Sequence, residues 1–222
     1  MATLGDAIAK LHKRHRLPHI IVTSVRFDPS SPTISIVGST MRTDCSPRLF
    51  KIDVPAIDCF FSGTGDMFAA LTVVRLREAT SRNNLASTKS WVSPDDVEAI
   101  NLPLAKAAEK VLGSIQAVLE KTKKARDEGL EGMSSPMRDM QKDSEKRLHL
   151  RKTKAAEVMI VRNQDDLRDP QVLYRAEPLS SGDTLSNETE HSSSDFKDQV
   201  DEGEDENSSQ ALRNKANVVE HG

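Results

Sequence analysis

The sequence predicts an α/β fold, and three observations carry that prediction. Ile20-Ile21-Val22 is a continuous β-branched run with the composition of a strand covered on both faces. Period-two alternation follows in Thr33-Ile34-Ser35-Ile36-Val37-Gly38 and again from 49 to 54. Helical periodicity surrounds these strands. It is strongest from 102 to 125, where Leu104, Ala108, Val111, Leu112, Ile115, Val118, Leu119 and Thr122 form one stripe.

Taken in order, residues 3–15 place Leu4, Ile8 and Leu11 on one face with Lys10, Lys13 and Arg14 elsewhere, an amphipathic helix that Leu17-Pro18 ends. His12, His15 and His19 have no carboxylate at metal-ligand spacing, and two of them sit in a basic run, so solvent-facing side chains are expected. Thr23 and Ser24 follow the apolar run at the carboxyl end of its strand, where open α/β sheets place ligands. Asp28-Pro29-Ser30-Ser31-Pro32 is turn chemistry leading into a hairpin-like strand pair, and Thr43-Asp44-Cys45-Ser46-Pro47-Arg48 is a second loop.

The segment with a chemical signature is Phe60-Phe61-Ser62-Gly63-Thr64-Gly65-Asp66-Met67-Phe68-Ala69-Ala70-Leu71. Gly63 and Gly65 let the backbone turn sharply and approach a ligand closely. The helix that follows, with Phe68, Leu71, Val74 and Arg75 at helical spacing, begins with amides that lack intrahelical partners at the positive end of its dipole. Such a turn receives phosphate oxygens, and Thr64 adds a hydroxyl. A carboxylate at Asp66 repels polyphosphate, which points to proton transfer as its task. Read alone, the same residues also serve as a plain chain reversal with Asp66 favouring the helix dipole.

Residues 78–101 read as a polar surface connection. The basic runs at 121–126 and 146–154 lack interleaved aromatics for stacking on bases, so they read as solvated faces or an insertion loop and not as a nucleic-acid surface. Residues 156–161 return to a strand pattern, Pro170 stops the next segment, and Val172-Leu173-Tyr174 is a last extended stretch.

The chain divides by composition at 179. Eleven Asp or Glu against three Lys or Arg give residues 180–222 a charge of −8. The whole chain is −3, so residues 1–179 carry +5. The acidic, serine-rich segment has too few apolar anchors to offset chain entropy, and a disordered tail is expected, with Ser192-Ser193-Ser194-Asp195 as a candidate phosphorylation cluster. Cys45 and Cys59 share no metal or redox spacing, which excludes a disulfide framework and structural zinc. No apolar run approaches the ~20 residues of a membrane span, so the expected location is cytoplasmic without a membrane partner.

FFSGTGDMFAAL, with strands before it and a long amphipathic helix after it, resembles the anion-hole motif of the ribokinase superfamily, and more narrowly that of pyridoxal kinases. His19-Ile20-Ile21-Val22-Thr23-Ser24 resembles the strand and turn that touch nucleotide phosphates in that family. Residues 104–119 resemble the helix on the adenine side. Residues 158–170, with Asp165-Asp166-Leu167-Arg168-Asp169-Pro170, resemble the closing strand and its acidic end. The resemblance spans about residues 4–179 and leaves a charged insertion near 131–156.

The resemblance implies the C-terminal part of a ribokinase-like three-layer α/β/α fold. It also implies ATP-dependent phosphorylation of the 5′-hydroxymethyl group of pyridoxal, pyridoxine or pyridoxamine. Asp66 would be the base that meets the vitamin hydroxyl. Thr23, Ser24, Gly63, Thr64, Gly65, Phe68 and Leu119 would bind ATP and the transferring phosphoryl group. ATP, Mg2+ and K+ are the implied cofactors, and a homodimer is the implied assembly. The family carries a further half before the matched region, with substrate-pocket and metal residues, and no equivalents are found here. A nucleotide-binding or dimerising fragment, and a hydroxymethylpyrimidine or sugar kinase, are the alternative readings.

Overall fold

The computed structural model describes residues 3–131 and 157–179. The expected insertion between 132 and 156, the acidic tail from 180 and its serine cluster lie outside the described residues.

Helix α1 spans Leu4–His15 and starts from a capping box in which Thr3 and Asp6 exchange hydrogen bonds. These bonds hold the Asp6 carboxyl below its ordinary pKa. The chain leaves α1 through Arg16 at φ 52. The inward stripe is Ile8 and His12, while Leu11 is turned out. The expectation of solvent-facing histidines therefore fails at His12, which is fully buried. Its Nδ1 lies 2.6 Å from the Leu17 carbonyl and its Nε2 2.8 Å from the Ser39 hydroxyl. The hydrogen bonds offset the cost of enclosing the ring, a compensation that spacing alone does not reveal. His19 is half-buried between Thr40 and the Ser90 carbonyl, and His15 is exposed.

Strands β1 (His19–Val25), β2 (Thr33–Met41), β3 (Pro47–Pro55) and β4 (Glu177–Pro178) form one antiparallel sheet in that order. The alternation read from the sequence separates its two faces. Val37, Leu49, Ile20 and Val22 pack with Ile8 on the α1 side. Ile36, Phe50, Ile52, Val54 and Ile21 pack with Leu104, Ala105, Ala108 and Leu112 on the other. β1 is covered on both faces, as its continuous apolar run implies, although its pairing with β2 is antiparallel. Gly38 leaves room for the Phe50 ring, because a Cβ there would stand 2.1 Å from Phe50 Cζ.

On the second face, α2 (Thr64–Arg82) packs against α3 (Pro103–Glu131), with Met67, Val111, Ile115 and Val118 between them. The order helix, sheet, helix pair gives the three layers. Along α2 the inward residues include Met67, Arg75, Leu76 and Thr80, whereas Val74 is exposed, which corrects the expected stripe. Arg75 turns inward because its Nη2 donates to the Leu167 and Arg168 carbonyls at 2.5 and 3.0 Å while Nη1 pairs with Glu78.

The connection after α2 is held down more firmly than a surface loop. Arg48 occupies an apolar-face position on β3, is 1% exposed, and donates to the carbonyls of Pro94, Ser93, Val97, Met41 and Thr40 at 2.6–3.4 Å.

Residues 157–163 correct another expectation. Glu157 makes a single parallel bridge to Ser62, then local bonds bend the chain into a 3-10 turn at Val161–Asn163, followed by the short helix α4 (Gln164–Arg168). Ile160 N donates to Val158 O and Asn163 Nδ2 to Met159 O, so those groups are spent locally and not on a ladder. Val172-Leu173-Tyr174 is likewise outside a strand; pairing begins at Glu177. The returning chain crosses α3 at Gly113, where a Cβ would meet the Gln171 carbonyl oxygen at 2.2 Å.

Candidate functional site

The carboxyl end of β1 is bent open. Val22 pairs with Val37 and Val25 with Ser35, so β1 carries one residue more than β2 across this interval, and Ser24 has φ 59. A bulge of this kind re-aims side chains at the end of a ladder. A non-glycine residue in the left-handed region is a strained conformation of the sort that gathers at ligand sites. Thr23 and Ser24 are exposed, and among the described residues neither hydroxyl has a hydrogen-bond partner.

Across from this bulge the chain leaves β3 through Pro55 and reaches α2 by an irregular loop. Gly63 is the N-cap residue of α2 at φ 88, a backbone state that favours glycine. No side chain caps the helix, so the amides of its first turn lack both an intrahelical partner and a side-chain acceptor. A Cβ at Gly63 or at Gly65 would meet nothing within 4 Å. Packing within the protein therefore does not require a glycine at 65. Asp66 is exposed, and among the described residues its carboxylate has no ion-pair or hydrogen-bond partner.

A cavity of about 380 Å³ joins these pieces. β1 contributes Thr23 and Ser24; the sheet floor contributes Ile34, Ile36 and Val54; α2 contributes Thr64, Gly65 and Phe68; α3 contributes Leu112, Ile115, Gln116 and Leu119. Six of the eight residues singled out from the sequence thus share one cavity wall. Gly63 and Asp66 stand beside Thr64 and Gly65 without lining it.

Other groups at the cavity escaped the sequence reading. Cys59, Phe60 and Phe61 form its rim, with Phe60 78% exposed. Gln116 is buried and fixed by a 2.7 Å bond to the Pro55 carbonyl. Arg126, in a run read as a solvated face, is partly buried and places Nη1 on Cys59 Sγ. Lys121 in the same run is exposed and pairs with Asp166 at 2.6 Å. The signal available for Arg126 was its position one heptad beyond Leu119, on the helix face that lines the cavity.

Chemically, the arrangement is an apolar slot between sheet and α3 with two hydroxyls that have no partner among the described residues and helix-start amides at one end, and with the Asp66 carboxylate beside that end. Flat apolar walls accept a ring, and the polar end accepts an anionic group beside a proton acceptor. Among the described residues no group of three His, Cys, Asp or Glu side chains converges to hold a metal ion. No described helix is long and apolar enough to cross a membrane.

No protein-family profile matches the chain. A protein of Schizosaccharomyces pombe assigned as a pyridoxal kinase is 27% identical over 123 residues, covering 54% of this chain and 34% of that protein. Leishmania donovani pyridoxal kinase in complex with ADP and pyridoxamine is similar to this chain at 20% identity and a TM-score of 0.49, over 81% of this chain and 46% of that one. Entamoeba histolytica pyridoxal kinase is similar at 16% identity and a TM-score of 0.46, over 80% and 44%. The chain resembles pyridoxal kinases, and it spans about a third of the length of the curated relative it matches.

Proposed function

We propose that this chain supplies the nucleotide and phosphoryl side of an ATP-dependent kinase for the B6 vitamers, acting on the 5′-hydroxymethyl group of pyridoxal, pyridoxine or pyridoxamine. One observation carries the reading. The Asp66 carboxylate, without a partner among the described residues, stands in the first turn of a helix that no side chain caps, beside two glycines whose Cβ positions are open.

Phosphoryl transfer asks a protein for alignment and charge stabilisation more than for covalent chemistry. The helix-start amides at Thr64 and Gly65, with the Thr23 and Ser24 hydroxyls across the cavity, are placed to receive phosphate oxygens. Phe68, Leu119 and the sheet floor offer apolar surface to the nucleobase. Asp66 takes the proton of the attacking alcohol as its oxygen bonds to the γ-phosphorus and the bond to ADP breaks.

Among the described residues no group of three or more His, Cys, Asp or Glu side chains converges; Mg2+ and K+ enter this proposal through the resemblance alone, and no step is assigned to either ion. Homodimerisation belongs to the same proposal and draws on the resemblance; a cytoplasmic location is proposed with it.

Relatives named as pyridoxal kinases, one of them complexed with ADP and a B6 vitamer, support the substrate class. The test is release of ADP in the presence of pyridoxal by the 222-residue chain and by Asp66→Asn. Loss of roughly 10²–10⁴-fold in turnover is the expected outcome for a missing general base. Undiminished turnover in Asp66→Asn refutes the base assignment. Binding of ADP without turnover in either protein selects the alternative, a nucleotide-binding module.

A further inference from the structure

The face of α3 that lines the cavity does not stop at Leu119. Seven residues is close to two helical turns, so Arg126 continues the line of Leu112 and Leu119. Helical side chains lean toward the helix N-terminus, which carries the Arg126 guanidinium back along α3 toward the cavity. There its Nη1 rests on the thiol of Cys59, a cavity-rim residue four positions before Gly63.

This cation is poorly used. A guanidinium has five N–H donors, whereas a thiol is a weak acceptor. The Arg126 Nε is enclosed and has no hydrogen-bond partner. The contrast with the other enclosed arginines is informative. Arg48 faces five carbonyls, and Arg75, although its Nε is likewise unpartnered, reaches one carboxylate and two carbonyls through its terminal nitrogens. Both pin one segment to another through good acceptors. Among the described residues Arg126 holds only the sulfur of Cys59, a residue that lines the cavity.

We propose that Arg126 is an anion-positioning residue that exchanges Cys59 for a phosphate group of the bound ligand. Phosphate oxygens match the planar guanidinium fork and form charge-assisted bonds that a thiol cannot equal. Exchange would also release Cys59 and the rim phenylalanines beside it. The inference rests on the nucleotide reading for the identity of the ligand. The chemistry it needs, a phosphate or polyphosphate, is shared by ADP and by free pyrophosphate.

The experiment is calorimetric titration of the full chain and of Arg126→Gln and Arg126→Lys with ADP, adenosine and pyrophosphate, with a thermal melt of each protein. Arg126→Gln is expected to weaken ADP and pyrophosphate by about tenfold to hundredfold, the span of a charged hydrogen bond, and to leave adenosine unchanged. Arg126→Lys should recover part of the loss. Cys59→Ala, which removes the resting partner, should tighten pyrophosphate, and it tests the exchange even if Arg126→Gln does not fold. Weaker pyrophosphate binding by Cys59→Ala overturns the exchange. ADP binding that Arg126→Gln leaves intact overturns the inference while the nucleotide reading stands. Parallel loss of ADP and adenosine also overturns it, because Arg126 would then only support the cavity wall. Arg126-dependent binding of pyrophosphate without binding of ADP refutes the nucleotide reading and keeps the anion site. Failure of all three probes to bind refutes both.

Discussion

Gly65→Ala separates what the fold needs from what a ligand needs. Gly65 is the second residue of α2, its backbone is outside the left-handed region, and a Cβ built on it meets nothing within 4 Å. Alanine lowers the conformational entropy of the unfolded chain, which stabilises by about 0.4–1 kcal/mol where the native backbone accepts it. For a domain of this size that corresponds to a rise in Tm of about 1–4 °C. The added methyl would nevertheless point into space at the helix start where the proposed phosphate must sit, and a loss of about tenfold or more in ADP affinity is expected. Gly63→Ala is the control. Its site is equally open, but at φ 88 alanine is strained, at a cost of about 1–2 kcal/mol. The two variants should therefore move Tm in opposite directions and ADP affinity in the same direction. Differential scanning fluorimetry and calorimetry read the two quantities. A Gly65→Ala protein that is more stable and binds ADP as tightly as the parent refutes the claim that a ligand occupies the space above the turn.

Gly38→Ala should lose about 1–3 kcal/mol by overpacking, since its methyl would fall within 2.1 Å of the Phe50 ring; chemical denaturation reads the shift in midpoint. Arg48→Leu should cost about 2–4 kcal/mol by stranding the carbonyls it serves, and limited proteolysis should cut first near Ser93 and Val97, whose carbonyls lose their donor. His19 should make stability pH-dependent. Enclosure, with His12 and Arg48 as like charges, holds its pKa below 6.5 against the opposing bond to the Ser90 carbonyl. The unfolded chain then binds the proton more readily than the folded one, so stability is complete above about pH 6.5 and falls as pH drops through the folded pKa. Tm measured from pH 8 to pH 5 should fall less in His19→Gln than in the parent; equal slopes refute the assignment.

The elements that a single period defines were legible in the sequence. β2 and β3 alternate because each face meets a different helix, and α3 shows its stripe because one side packs on the sheet and α2. Legibility failed where one polar side chain does the work of an apolar one. His12 replaces Leu11 in the inward stripe of α1 because Leu17 and Ser39 satisfy its ring. Arg48 sits among Phe50, Ile52 and Val54 because a ring of carbonyls surrounds it. Each partner set includes residues distant in the chain, Ser39 for His12 and Ser93, Pro94 and Val97 for Arg48, so neither leaves a periodic trace. The strand read at 156–161 failed for the opposite reason. Its apolar residues have strand composition, but Val158 packs into the cluster between α2 and α3, Ile160 and Val161 are exposed, the Met159 amide donates to the Thr122 hydroxyl and the Ile160 amide to the Val158 carbonyl, so no ladder forms.

At the candidate site the same division decides what the sequence can say. Gly63, Thr64, Gly65 and Asp66 are adjacent in the chain, so their arrangement is a local turn and a string of letters captures it. Thr23 and Ser24 reach the same cavity only because β1 carries an extra residue against β2. Removing that extra residue would shift the following positions to the opposite face of the sheet. Deletion of Ser24 is therefore a sharper perturbation than its replacement by alanine. Ser24→Ala removes one hydroxyl from an intact wall, and its effect on ADP binding should stay within about 3 kcal/mol, the upper span of a single hydrogen bond to a charged group. Deletion either displaces Thr23 or shifts Val25 out of the core cluster it shares with Ile8 and Val37, so it should impair stability and nucleotide affinity together. If deletion leaves both unchanged, the bulge does not position the hydroxyls, and the β1 end has no part in the site.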